Sequence, residues 1–211
     1  AILLTDGHLD KPAAKTTHGL LRHSNRFDIV GIVDKKFAGK KTDEVIEKVK
    51  SVPIYPDIES VIDKIDADVL IVGVATFGGY LPESFKDYIM DAIKKRLDII
   101  TGLHHFLSED EEFKDLAEEY GVNIKDIRKP PPLDQLHYFQ NKKEEIGALT
   151  IPFLGTDSSI GKRTALLEVY EVMKDRGDSV CWIATGQTGI LQGAEYGLTL
   201  DSIMGDYMVG E

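Results

Sequence analysis

No stretch of this sequence stays apolar for the roughly 18 residues that a bilayer-spanning helix requires, and the opening "AILL" is too short for the apolar region of a secretory signal. The expectation is a cytoplasmic protein with no membrane partner. Cysteine is almost missing: one residue, Cys181, occurs in 211. It can form no internal disulfide, which fits a reducing compartment. Within "SVCWIA" it reads as a small buried residue rather than a catalytic thiol. Basic blocks are absent as well, and the net charge of −11 opposes attraction to nucleic acid or anionic lipid. Also absent is G-x-G-x-x-G after the first strand-like run, the spacing that lets a dinucleotide pyrophosphate approach the backbone.

What is present is 42% hydrophobic residues, enough to build a sizeable core, and a regular alternation of short β-rich runs with longer helical patterns. That alternation is the signature of a parallel sheet covered by helices. Strands are expected in "AILLTDG", "FDIVGIVD", "VPIYP", "ADVLIVGVA", "LDIITGL" and "VNIKDIR". Between them helices are expected over "PAAKTTHGLLRHS", "TDEVIEKVKS" with Thr42 as N-cap, "DIESVIDKI", "SFKDYIMDAIKKR", and "SEDEEFKDLAEEYG" opened by Ser108. The last of these reads as a solvated acidic face. Pro130 to Pro132 then stiffen the chain and mark a boundary.

Beyond the prolines the pattern restarts. A strand through Leu154, a small-residue loop, a helix from about Gly161 to Arg176 closed by Gly177, and the strand "SVCWIAT" follow in order. The expected architecture is α/β: a Rossmann-like doubly wound parallel sheet over 1–135, followed by the N-terminal part of a P-loop domain over 136–211. Two clear strands are too few for an independent sheet. The apolar surface this leaves makes a homo-oligomer an expectation.

The strongest chemical signal is "GTDSSIGKRT", from Gly155 to Thr164. A strand, a small-residue loop and a helix opening at Gly161-Lys162 would converge backbone amides, the positive helix end and one ammonium on an anion. Gly155, Thr156, Asp157, Ser158, Ser159, Gly161, Lys162, Arg163 and Thr164 are the candidate phosphate-binding residues. The bland alternative is that Asp157, Ser158 and Ser159 simply cap the helix. Arg163 occupies the place where a Ser or Thr usually reaches Mg²⁺, so any metal contact falls to Thr164. Gln187 and Thr188, in "ATGQTG", lie after the next strand, where polar residues between glycines suit a ligand.

Further candidates lie at expected strand ends. Lys15, Thr16 and His18 stand on the first turns of the first helix, and Arg128 could pair with a substrate carboxylate. His104 and His105 follow the fifth strand, and either could serve as a general base. Asp34 ends the second strand, where dinucleotide folds hold ribose hydroxyls. With the glycine fingerprint missing, it reads by default as an exposed strand-end acid.

The "GTD…GK" loop resembles that of dethiobiotin synthetase and related P-loop ligases. A closer resemblance covers nearly the whole chain. "AKTTHGLLRHS", "GIVDKKFAGK", "ITGLHHFLSED", "IRKPPP", "LGTDSSIGKRT", "ATGQTGIL" and "DSIMGDYMVGE" are similar, in this order, to the DgcN-like family of D-glutamate N-acetyltransferases. Its members share the Gly-Lys-x-Thr ending. The resemblance implies acetyl transfer from acetyl-CoA to an acidic amino acid. The P-loop would hold the phosphates, Lys15, Thr16 and Arg128 the substrate, and His104, His105 or Asp157 would move the proton. Family members continue past "GDYMVGE" to a further acidic motif, and Ala1 begins inside a strand-like run, so a fragment of a longer polypeptide is expected. Two other readings stay open: an ATP- and Mg²⁺-dependent ligase or kinase, and a nucleotide-binding protein without catalysis.

Overall fold

A computed structural model of the chain describes residues 1–135, 140, 142–157 and 160–202. Ser158, Ser159 and the "GDYMVGE" block lie outside them. The chain divides into two compact units. Unit 1 comprises Ala1–Lys129 with Leu191–Gly193, and unit 2 comprises Pro130–Ile190 with Ala194–Glu211.

Unit 1 runs β1 (Ile2–Leu4), α1 (Lys15–Arg22), β2 (Gly31–Val33), β3 (Ile54–Tyr55), α2 (Ile58–Ile62), β4 (Val69–Val72), α3 (Glu83–Lys94), β5 (Asp98–Thr101), α4 (Glu111–Tyr120) and β6 (Ile124–Asp126). Its six strands are all parallel, in the order β3-β2-β1-β4-β5-β6. This is the doubly wound Rossmann order, and its topological switch point lies between β1 and β4. Strand alternation feeds two cores. Ile2, Leu4, Leu70, Val72 and Ile99 face one side, where Phe85, Ile89 and Ile93 of α3 and Phe113 of α4 pack. Leu3, Ile32 and Ile71 face the other, against Leu20 and Leu21 of α1. Strands buried on both faces explain the near-continuous apolar runs. The Gln192 side chain belongs to this unit: its amide donates to the carbonyls of Gly19 and His23 at 2.9 and 3.0 Å.

Four local expectations are corrected here. Residues 42–51 form only a 3₁₀ turn, Thr42–Glu44, and not an α-helix. Thr42 is buried and caps nothing: its hydroxyl donates to the Lys50 carbonyl at 2.6 Å and accepts from the Val52 amide at 2.9 Å, closing a loop. β-branched Val45, Ile46 and Val49 turn onto the α1-side core, and Lys48 adopts a φ of 55° that breaks any helix. Second, α4 is capped by Asp110, whose carboxylate accepts from the Glu112 amide at 3.1 Å, and not by Ser108. Ser108 lies instead in a 3₁₀ turn, Leu107–Glu109, which buried Asp126 holds through the amides of Leu107 and Ser108, both at 3.0 Å.

In unit 2 the described elements are α5 (Lys162–Asp175), β7 (Ile183–Ala184), α6 (Gln187–Gln192, whose last two residues count with unit 1) and β8 (Tyr196–Gly197), with β7 and β8 parallel. Gly177 closes α5 in the left-handed conformation, at φ 82°, as a helix stop requires. The core of this unit is small: Leu167, Tyr170, Trp182 and Ala184. Glu195 clamps it, accepting from the Tyr170 hydroxyl and the Trp182 amide, each at 3.1 Å. Burial, and then this carboxylate, raise the Tyr170 pKa. The third correction is that residues 148–154, expected as a strand, pair with none of the described strands, and Leu149 and Leu154 are exposed. A strand needs a neighbour for its amides, and β7 and β8 pair only with each other. Cys181 is exposed too, not buried: it precedes β7, and its neighbour Trp182 fills the core.

Candidate functional site

The phosphate loop is built around the start of α5. Gly161 is its N-cap in a left-handed conformation, φ 98° and ψ 7°, and no side-chain hydrogen bond caps the helix among the described residues. Backbone amides of a first turn point out of the helix toward whatever anion meets it. The first turn carries no acid, and its two leading residues are Lys162 and Arg163. Two cations at the positive end of a helix are mutually unfavourable until an anion joins them. Burial depresses the Arg163 pKa.

The Lys162 ammonium folds back and donates to the carbonyl of Asp157. That fold-back depends on Gly155. A Cβ there would stand 2.6 Å from Ile160 Cδ1 and 3.0 Å from Lys162 Cδ, so a side chain would displace the lysine stem. Thr156, Asp157 and Thr164 are exposed around the loop. The residues present thus fit a phosphate-bearing ligand, with Thr164 as the hydroxyl available to a metal. Gln187 and Thr188 begin α6 and are buried.

The other predicted residues lie at the carboxyl edge of the unit 1 sheet or on the helix beside it. Lys15 is exposed at the start of α1, whereas Thr16 is fully buried. Thr17 stitches that turn to the end of β4, its amide and hydroxyl donating to the Gly73 carbonyl at 3.1 and 2.9 Å. His104 and His105 follow β5, both amides donating to the Gly79 carbonyl. Gly79 lies so near the His104 ring that a Cβ would come within 2.3 Å of it. His105 Nε2 lies 3.3 Å from an Asp110 carboxylate oxygen. Arg128, after β6, donates to the Gly102 carbonyl.

Asp34 is not the exposed strand-end acid expected. It is fully buried, and its carboxylate accepts from the Thr5 hydroxyl at 2.9 Å, the Leu9 amide at 3.2 Å and the Lys36 amide at 3.0 Å. It locks the loop after β1 instead of facing a ribose. That loop also engages its own amides: Asp6 donates to Val33 and His8 to Thr5. A pyrophosphate would find these donors taken.

Residues absent from the sequence-based selection surround this loop. Asp6, at a φ of 27°, accepts from the Tyr88 hydroxyl at 3.1 Å and pairs with Lys35 at 3.4 Å. His8 packs edge-on against Phe85, ring centroids 6.1 Å apart. Nothing in the spacing of "TDGHLD" signals these contacts, since α3 supplies two of them from eighty residues away. A cavity of about 430 Å³ lies at the opposite edge of the sheet, floored by Leu20, Leu21 and Ile29 and rimmed by Arg26, Asp28 and Lys50. No helix among the described residues is long and apolar enough to cross a membrane.

A Rossmann-ordered sheet followed by a helix that opens on Gly-Lys defines a two-unit α/β protein with a P-loop. The comparisons agree. "Domain of unknown function (DUF1611_N) Rossmann-like domain" matches residues 35–130, and "Domain of unknown function (DUF1611_C) P-loop domain" matches residues 137–211. The chain belongs to the DUF1611 family. It is similar to a D-glutamate N-acetyltransferase of Tritonibacter scottomollicae, 32% identical over 148 residues, covering 68% of this chain and 42% of that protein. A second D-glutamate N-acetyltransferase, from a Pseudoalteromonas species, is 30% identical over 147 residues, covering 70% and 43%. The chain thus matches less than half the length of either. The crystal structure of a DUF1611 family protein from Anabaena variabilis superposes with a TM-score of 0.85 at 28% identity, covering 98% of this chain and 58% of that one.

Proposed function

We propose that the protein is an N-acyltransferase that moves an acetyl group from acetyl-CoA to the amino group of an acidic amino acid, with D-glutamate as the first substrate to test. Two relatives of that name support the reaction class. The observation that carries the ligand class is the start of α5, where Lys162 and Arg163 open a helix behind a left-handed Gly161 with no acid in the first turn. Phosphates supply the missing charge, and the first-turn amides supply directed donors. Thr156, Asp157, Gln187 and Thr188 complete the phosphate-side set, with Thr164 offering a hydroxyl where Mg²⁺ accompanies the ligand.

Lys15 and Arg128 offer cations for the two carboxylates, Arg128 exchanging its Gly102 carbonyl for a bidentate partner. An imidazole at the carboxyl edge of the sheet takes the proton of the attacking amine. The homologous names imply no assembly state, so a homo-oligomer stays a separate expectation, tested by light scattering.

The assay is release of free CoA thiol from acetyl-CoA by the full-length protein with D-glutamate. Absence of release, with ADP formed from ATP and Mg²⁺ instead, would replace this reading with the ligase or kinase one. Binding of either nucleotide with no turnover would leave a nucleotide-binding protein.

A further inference from the structure

His105, one of the tandem pair, was a natural candidate for the proton acceptor, but its own contact and those of two further histidines point to a different ring. A backbone carbonyl can only accept. A ring nitrogen facing one therefore carries the hydrogen, and the lone pair resides on the other nitrogen. His8 Nδ1 faces the carbonyl oxygens of Thr5 and Asp6, at 3.1 and 3.0 Å. Its lone pair is consequently on Nε2, the nitrogen farthest from the backbone. In His18 the arrangement is reversed, because Nε2 faces the Leu9 carbonyl at 2.7 Å. In His105 Nε2 faces the Asp110 carboxylate, which leaves only Nδ1, beside the main chain. Of these three rings, His8 alone presents Nε2 as a base.

Its position is fixed with unusual care for a surface loop. Asp34 anchors the residues on both sides of it, Thr5 and Leu9. Phe85 meets the ring at an interplanar angle of 77° and restrains its rotation. Asp6 holds a sparsely populated conformation, φ 27°, that the Tyr88 and Lys35 contacts of its carboxylate sustain. Strain of this kind persists where the surroundings over-determine it, and it concentrates at functional positions. His8 also follows β1, at the switch point where open α/β sheets take their ligands.

We infer that His8 is the group that accepts the proton of the attacking amine in the unit 1 crevice after β1, through Nε2, while Thr5 and Asp6 hold its Nδ1–H. The inference rests on the acyltransferase reading. The substrate amine, already neutral after losing its extra proton to solvent, adds to the thioester carbonyl. The carbon–nitrogen bond forms and the carbon–sulfur bond breaks. The amine proton passes to Nε2 and from there to the departing thiolate, so the ring ends neutral and free CoA leaves as the thiol.

The test uses full-length protein and four variants: His8→Ala, His8→Gln, His104→Ala and His105→Ala. Loss of a positioned base lowers kcat by about 10²–10⁴-fold. The expected result is that loss in both His8 variants with little change in the KM for D-glutamate, and partial restoration of His8→Ala by added imidazole. Nitrogen NMR of the histidine-labelled protein, recorded without any acyl donor, is expected to show His8 protonated on Nδ1 and its Nε2 signal moving on addition of D-glutamate alone. A wild-type protein that releases no CoA defeats the acyltransferase reading itself. An active wild type with His8→Gln near its kcat overturns this inference only, as does an Nε2-protonated His8 or a rescuable loss confined to His105→Ala.

Discussion

The two units of this chain use similar residues to different ends. In unit 1 the strands are flanked by helices on both faces, and Phe85, Phe113 and the side chains of the central strands β1 and β4 are sealed from water. In unit 2 Leu149 is 87% exposed, Leu154 84% and Ile183 60%, although they sit in runs that read as strands just as plainly. An apolar run becomes a buried strand only when neighbouring strands and covering helices exist for it. Unit 1 therefore gives its strand-end loops a closely packed frame to anchor on. The described part of unit 2 is organised instead around one helix, its start and a four-residue core.

The largest test of that contrast is a pair of truncations. Phe85→Ala removes a fully buried ring from unit 1 and should cost about 3–5 kcal/mol. Val172→Ala, on an exposed position of α5, should stay within about 0.5 kcal/mol. Urea unfolding followed by circular dichroism measures both. Equal losses would mean that Val172 is covered in the protein as it exists in solution, and the contrast would fail.

Next in size is Asp34→Ala. It leaves the Thr5 hydroxyl and the Leu9 and Lys36 amides without their acceptor in a buried place. One to three kcal/mol is typical for each buried donor left unpaired, and relaxation recovers part of the sum, so about 3 kcal/mol is expected. Amide hydrogen exchange should show the Leu9 and Lys36 amides losing protection before the rest of the sheet. Unchanged protection would show that Asp34 does not hold the loop.

These two positions also mark what was legible in the sequence. The six strands of unit 1 could be read because each is a short apolar run between turn residues, and Gly161-Lys162 because its helix is long and periodic. The 42–51 segment misled: its apolar spacing suits a helix, but three of its apolar residues are β-branched and Thr42 closes a loop through Lys50 and Val52. The role of Asp34 was hidden for another reason. Its partners Thr5 and Leu9 are over twenty residues away, and a strand-end acid facing ribose is spelled like one facing a loop. The tautomer of His8 likewise depends on where two carbonyl oxygens point, which no residue pattern encodes.

Lys162→Ala sharpens the other half of the comparison. A charge-assisted contact is worth about 1.5–3 kcal/mol, or roughly 10–150-fold in Kd, so calorimetric titration with acetyl-CoA should show a loss of that order. The Phe85-dependent unfolding of unit 1 should be untouched. A variant that binds as tightly as the parent would remove the phosphate from this helix start.

The smallest effect is a titration. Tyr88 is pushed up to about 12, first by burial, then by the negative charge of Asp6 and by the hydrogen bond to it. A tyrosine whose folded pKa exceeds its unfolded value near 10 keeps its proton better when folded. Its contribution to stability is therefore complete below pH 10 and is lost as pH rises from about 10 to about 12, because the unfolded state ionises first. Ultraviolet titration of tyrosinate should show a late step near the upper end of that window, beside the raised Tyr170, and Tyr88→Phe should remove one tyrosine's worth of that late signal. The same substitution removes a donor from Asp6 and so loosens the turn that carries His8. If Tyr88 ionises with the exposed tyrosines, the Asp6–Tyr88 contact does not hold in solution, and the rigidity ascribed to the loop after β1 loses one of its supports.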